Sequence, residues 1–138
     1  MGRILAIDYG RKRVGLAVTD PMKMIANGLD TVHPKDLLKY LEDYFARENV
    51  ESIVVGYPKQ MNNTDSEALE YIRPFLKKLR KQFPEMPVEL EDERFTSKMA
   101  QDTMIQGGMK KKQRQNKSHV DRISATIILQ SFLERNNI

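Results

Sequence analysis

Three acidic positions in this chain are poorly explained by solvation alone. Asp8 closes an otherwise apolar run, Ile4-Leu5-Ala6-Ile7. Asp92 and Glu93 follow a strand-like stretch at 87–91. Asp121 falls in the expected first turn of the last helix, and its partners at i+4, i+7 and i+11 are Ala125, Ile128 and Phe132, an apolar stripe at helical spacing. Carboxylates gathered at one place repel unless a cation lies between them. An oxygen-only donor set suits Mg²⁺ or Mn²⁺. Two such ions about 3.5–4 Å apart can activate water and stabilise the leaving oxygen of a phosphodiester. Asp8, Glu93 and Asp121 are therefore the candidate catalytic and metal-binding residues. Each also has a plainer explanation. Asp8 suits a turn before Tyr9-Gly10. Ser118 and Asp121 have the spacing of a capping box. Asp92-Glu93-Arg94 suits a solvated turn. The chemistry needs all three acids at one sheet edge, which spacing alone does not establish.

The charge distribution points to a polyanionic partner. Lys plus Arg is 23 and Asp plus Glu is 19, for a net charge of +4. From Lys110 to Arg122 there are six basic residues (Lys110, Lys111, Lys112, Arg114, Lys117, Arg122) and a single acid, Asp121. Arg11, Lys12 and Arg13 form a second basic cluster, whereas five acids crowd Glu85 to Glu93. Basic clusters of this kind suit a nucleic-acid backbone, although a solvated charged loop has the same composition. The absence of cysteine excludes disulfides, thiolate metal sites and cysteine nucleophiles. No apolar run approaches the roughly 20 residues of a membrane span, and Asp8 interrupts any secretory core too early. The expectation is a cytoplasmic protein without membrane contact, built as a single domain over 1–138.

The elements that must position the acids can be read from periodicity and punctuation. Residues 3–9 and 13–19 read as strands joined through the Gly10 turn, and a weaker strand falls near 28–33. Pro34 opens a helix carrying Leu37, Leu38, Leu41, Tyr44 and Phe45 at helical spacing. Residues 52–56 form a strand, and 57–64 an Asn-rich loop. A helix over about 65–83 is expected to be kinked or restarted by Pro74. Strand 87–91 follows, then a helix over about 96–106 stopped by Gly107-Gly108, a basic loop, and a last helix over about 119–134. This order predicts an α/β fold with a mixed sheet: hairpin-linked at its start, parallel where strands are reached through helices. Ligands collect beyond the carboxyl ends of parallel strands in such sheets. Asp8 and Glu93 fall at such ends.

The segments IDYGRKRVGLAVTD, VVGYPKQMNNT, VELEDERFTS and NKSHVDRISATIILQSFL resemble, in the same order and over nearly the whole chain, the signature blocks of the YqgF family, also called RuvX-like Holliday junction resolvases. The DERFTS block and the Lys117-x-x-x-Asp121 helix start are specific in combination; the opening D-x-G alone is shared with actin-like ATPases and sugar kinases. The resemblance implies an RNase H-like fold: a five-stranded mixed sheet in order 3-2-1-4-5, strand 2 antiparallel, with helices on both faces. It implies a divalent-metal nuclease, associated in bacteria with 5′-end processing of precursor 16S ribosomal RNA and with branched-DNA resolution. By position Asp8, Glu93 and Asp121 match the acidic ligands, and Asp92 is an adjacent candidate. Arg94, Thr96 and Lys117 match further motif positions. Asn63 and Ser124 stand where the family commonly has Gly and Ala.

The expected activity is hydrolysis of phosphodiester bonds with Mg²⁺ or Mn²⁺. Arg11, Lys12, Arg13, Arg94, Lys110, Lys111, Lys112, Arg114 and Lys117 would hold the backbone of a pre-rRNA or branched DNA. Association with a ribosomal particle would follow from the RNA reading. A junction cutter should be a two-fold dimer, whereas an RNA-end trimmer can be a monomer. The alternatives are a non-catalytic nucleic-acid-binding assembly factor and an actin-like ATPase. The latter is disfavoured because that class closes two such domains around one nucleotide.

Overall fold

The structure is a computed structural model describing residues 2–57, 69–92 and 117–136; for Leu69, Asp92 and residues 117–121 it describes the backbone only. Five strands and three helices occur among these residues: β1 (Arg3–Tyr9), β2 (Val14–Thr19), β3 (Ala26–Val32), α1 (Leu37–Arg47), β4 (Val50–Tyr57), α2 (Leu69–Gln82), β5 (Val88–Asp92) and α3 (Lys117–Arg135). The sheet order is β3-β2-β1-β4-β5. β2 is antiparallel to β1 and β3, while β1, β4 and β5 run parallel. This is the mixed sheet expected from the order of elements, in the strand order that the family resemblance implies.

Strand alternation sorts the side chains onto two faces. Leu5 and Ile7 of β1, Val14 and Leu16 of β2, and Ile53 and Val55 of β4 pack under α1 and α2, against Leu37, Leu41, Ile72, Phe75, Leu76 and Leu79. Ile4, Ala6, Ala17 and Val54 face the other way and pack under Ala125, Ile128, Leu129 and Phe132 of α3. Both faces are covered, which is why the inner strands read as continuous apolar runs rather than alternating ones.

Several local expectations are revised. Pro34–Asp36 is a short 3₁₀ turn, with the His33 Nδ1 accepting the Lys35 N–H at 3.1 Å, and α1 begins only at Leu37. α2 runs through Pro74 without interruption. Proline forfeits the hydrogen bond to the Glu70 carbonyl, but its ring faces solvent, and buried Ile72, Phe75 and Leu76 on the opposite side hold the helix to the sheet. α3 already includes Lys117, so Ser118 lies inside the helix and Asp121 in its second turn; the capping explanation for Asp121 does not hold. The expected helix at 96–106, the basic loop before α3 and residues 58–64 lie outside the described residues.

The β2–β3 hairpin is organised by one carboxylate. Asp20 accepts the backbone N–H groups of Met22 (3.3 Å), Met24 (2.8 Å) and Ile25 (2.9 Å). These donors, Ile25 foremost, favour the charged form and hold its carboxyl below the ordinary value of 3.8. The bonds are therefore intact above that value and are lost as pH falls through the lowered one. In an NMR titration the Met24 and Ile25 amide resonances should move together with a midpoint below 3.8; a midpoint at or above it would show that the bonds do not form.

Candidate functional site

Asp8 lies near the carboxyl end of β1, half-buried. Ile4 and Ala6 belong to the α3-facing layer, so alternation turns Asp8 to that side as well. Asp8 pairs with Gly15 of β2. On the other flank Ile7 pairs with Val55, so the next residues along, Asp8 and Gly56, are neighbours. Both glycines are buried. Beyond them the same row continues to Thr31 on β3 and to Glu91 on β5. The carboxylate thus stands on a floor with no side chain on either adjoining strand. Isolated glycines in strands mark close approach of a ligand or another backbone. A hard oxygen donor fits Mg²⁺ or Mn²⁺, which retain water in their coordination shell.

The other two acids are reached by elements that converge on this floor. β5 carries the chain to the row of Asp8 and ends at Asp92, one residue before Glu93, which itself lies outside the described residues. α3 crosses the same face: a Cβ added to Gly28 of β3 would meet the Arg122 Cβ at 3.4 Å, while its far end reaches Glu91 of β5. The backbone of Asp121 is one turn before buried Ala125 on this helix. Among the described residues no group of three or more His, Asp or Glu side chains could hold a metal ion; of the three candidate ligands only the Asp8 side chain is among them.

Glu91 ties the two elements together. It is 2% exposed, and its Oε2 accepts the Ser131 hydroxyl at 2.6 Å. Its Oε1 forms an ion pair with the Arg135 guanidinium, without an N–H aligned on it as a hydrogen bond. The Arg135 side chain is 63% exposed, so water screens that attraction and the serine bond is the stronger tie.

The basic residues divide similarly. Arg11 and Lys12 are exposed on the β1–β2 turn and Arg13 is half-buried. The Arg11 guanidinium lies over the Tyr71 ring, 5.2 Å from its centroid. Tyr9, next to Asp8 but on the opposite face, stacks on Phe75 at 4.3 Å and lies 5.9 Å from Tyr71. Burial, and then neighbouring Tyr71, hold its hydroxyl above the ordinary value of 10.0, so it stays a protonated donor. Arg94, Thr96, Lys110, Lys111, Lys112 and Arg114 lie outside the described residues, as does the Lys117 side chain. The glycine flanks of Asp8, the Glu91 tie and the tyrosine stack were not read from the sequence. The two strand glycines were the available signal, but only register shows that they flank one carboxylate.

The sheet order, with one helix across the face of Asp8 and two behind it, defines an RNase H-like fold. The solved structure of Fowlpox virus resolvase with Holliday junction DNA superimposes with a TM-score of 0.62 at 13% identity, covering 97% of this chain and 98% of that one. Thermus thermophilus RuvC with a Holliday junction substrate gives 0.57 at 19% identity, covering 99% and 96%. Within this class the chain belongs to the RuvX family, described as Holliday junction resolvase, whose model matches residues 2–135. Relatives include a Bacteroides thetaiotaomicron protein, 59% identical over 134 residues and 97% of each chain, and a Christiangramia forsetii protein, 60% identical over 133 residues, 96% of this chain and 98% of that one. Both are named "Putative pre-16S rRNA nuclease".

Deleting the Ser131 hydroxyl tests the tie. Ser131→Ala leaves a buried acceptor unpaired and should lower stability by about 1–3 kcal/mol in urea unfolding. A loss under about 0.5 kcal/mol, the range of ordinary surface substitutions, would show that this bond does not seat α3.

Proposed function

We propose that residues 1–138 act as a single RNase H-like nuclease domain that hydrolyses phosphodiester bonds in the 5′-end processing of precursor 16S ribosomal RNA. The observation that carries this is Asp8, a half-buried carboxylate on a floor of two buried glycines, in a chain at least 59% identical over nearly its full length to relatives bearing that name. Asp8, Glu93 and Asp121 are the residues that would hold Mg²⁺ or Mn²⁺. When bound, the ion supplies charge neutralisation at phosphorus and makes water a stronger nucleophile. Asp8 contributes a fixed carboxylate whose strand cannot shift without breaking pairing on both sides. The glycines put no side chain on the strands to either side of it. Lys117, with Arg11, Lys12, Arg13, Arg94, Lys110, Lys111, Lys112 and Arg114, would hold the RNA backbone through phosphate contacts that position without reading sequence. Such an enzyme works on cytoplasmic ribosomal particles and needs no second copy to trim one end.

A second reading, cleavage of four-way DNA junctions by a homodimer, is favoured by the family's description. Both substrates should be assayed in parallel with Mg²⁺ or Mn²⁺ and with a chelator. The precursor RNA end should be cut, and chelation should abolish cutting. Asp8→Asn should keep the far-UV spectrum and melting temperature while lowering the rate by about three orders of magnitude, equivalent to several kcal/mol of transition-state stabilisation. Junction cleavage with intact precursor RNA would replace the first reading by the second. Equal rates for folded Asp8→Asn and wild type would remove Asp8 from the site.

A further inference from the structure

The charge on α2 is the least explained feature of the surface. Its sequence, LEYIRPFLKKLRKQ, holds five basic residues and one acid, Glu70. Ile72, Phe75, Leu76 and Leu79 are buried, while Arg73, Lys77, Lys78, Arg80 and Lys81 are all exposed. At 100° per residue, Arg73, Lys77, Arg80 and Lys81 fall within one arc of about 100°, with Lys78 just beyond its border. A helix that only needs solvation intersperses signs. Neighbouring α1 does so: Lys39 pairs with Asp43 at 3.5 Å, and Glu42 and Glu48 accompany Arg47. On α2, Arg73 and Lys77, Lys77 and Lys81, Lys77 and Arg80, and Lys78 and Lys81 stand three or four residues apart with like charge, an arrangement that destabilises a helix. The helix dipole accounts for Arg80 and Lys81 in the last turn, but not for Arg73, Lys77 and Lys78. No ion pair neutralises Lys77, Lys78, Arg80 or Lys81 among the described residues.

The stripe is also in the right place. The first turn of α2 carries Tyr71, which touches Tyr9 and lies beneath Arg11. The positive surface thus starts at the Arg11–Tyr71 stack, against Tyr9 at the carboxyl end of β1 and one residue on from Asp8, and continues down a helix of 14 residues, about 21 Å at 1.5 Å per residue.

We propose that the exposed basic stripe of α2 is a docking surface for the phosphate backbone of the RNA substrate, holding the segment that flanks the bond over Asp8. This rests on the nuclease reading and adds a surface to it. The exposed face offers no large apolar side chain to enter a lipid layer, only the Pro74 ring, and its spaced cations match a linear array of phosphates. Lysine contacts of this kind supply affinity without base selectivity and release counterions when they form.

The test is the salt dependence of binding, using a labelled RNA spanning the 5′ end of the precursor and full-length protein without divalent metal. Wild type, the triple variant Lys77→Gln/Lys78→Gln/Lys81→Gln, and Lys39→Gln on α1 are compared between about 50 and 200 mM salt. Glutamine matches lysine in helix propensity, and melting curves check the fold. The triple variant should bind at least about tenfold more weakly, and its slope of log K against log salt should be shallower by about 2–3, roughly 0.7–0.9 per lost contact. Lys39→Gln should match wild type. An unchanged slope in a folded triple variant overturns the proposal. If wild type binds neither RNA nor DNA, the nuclease reading fails instead. Loss of binding to phosphatidylserine vesicles with RNA binding unchanged would assign the stripe to a membrane surface and overturn the proposal. A second measurement needs no variant: bound RNA should protect Lys77, Lys78 and Lys81 from amine-reactive labelling read by mass spectrometry, and equal labelling with and without RNA also overturns it.

Discussion

The close seating of α3 on one face of the sheet is the constraint on which the site depends. On that face Ile4 and Val54 are interspersed with small residues. Ala6, Ala17 and Ala125 are fully buried in the layer between sheet and helix, and at Gly28 a Cβ would come into van der Waals contact with the Arg122 Cβ at 3.4 Å. The opposite face carries leucine, isoleucine and valine and takes two helices. The greater bulk on one side and the alanines on the other follow from the same alternation along β1, β2 and β4. The row of small residues continues to Gly15 and Gly56, so neither strand beside Asp8 carries a side chain there.

Close packing fixes distance but not direction; a helix on a smooth floor can swing. α3 is pinned near both ends instead. Gly28 receives Arg122 and Thr126 near its start, and Glu91 holds Ser131 and Arg135 near its end. Ten residues separate Asp121 from Ser131, about 15 Å of helix. Through this rigid rod the strand that precedes Glu93 sets the backbone position of Asp121. Burying a carboxylate to anchor a helix is costly unless it is hydrogen-bonded, and the serine meets that condition where an exposed arginine alone would not.

Much of the architecture was legible in the residues. Continuous apolar runs at 4–7 and 53–55 signalled strands covered on both faces, and Ala125, Ile128 and Phe132 proved to be the buried stripe their spacing implied. What failed was local or depended on register. Pro34 and Ser118 carry strong boundary signals, yet α1 begins after the proline turn and α3 before the serine, because packing rather than propensity sets where a helix ends. Pro74 is tolerated for the same reason. The glycine flanks of Asp8 could not be seen, because which residues of β2 and β4 stand beside it is decided by pairing across the sheet. Glu91 read as one more member of an acidic run; only the partner forty residues away distinguishes it from its solvated neighbours.

Asp8 and Tyr9 show how one residue step joins the two faces. Consecutive Cα atoms are about 3.8 Å apart and their side chains point to opposite sides of the strand. Asp8 therefore belongs to the glycine floor beneath α3, while Tyr9 stacks on Phe75 and touches Tyr71 of α2. The acidic floor and the basic helix lie on opposite sides of the sheet, where the five basic residues of α2, against its one acid, do not neutralise the carboxylate directly. They meet only at the carboxyl edge of β1, where Arg11 folds back over Tyr71. On the proposed reading, a polyanion whose reacting phosphate sits over Asp8 and that crosses this edge meets the positive charge of α2 on the far side.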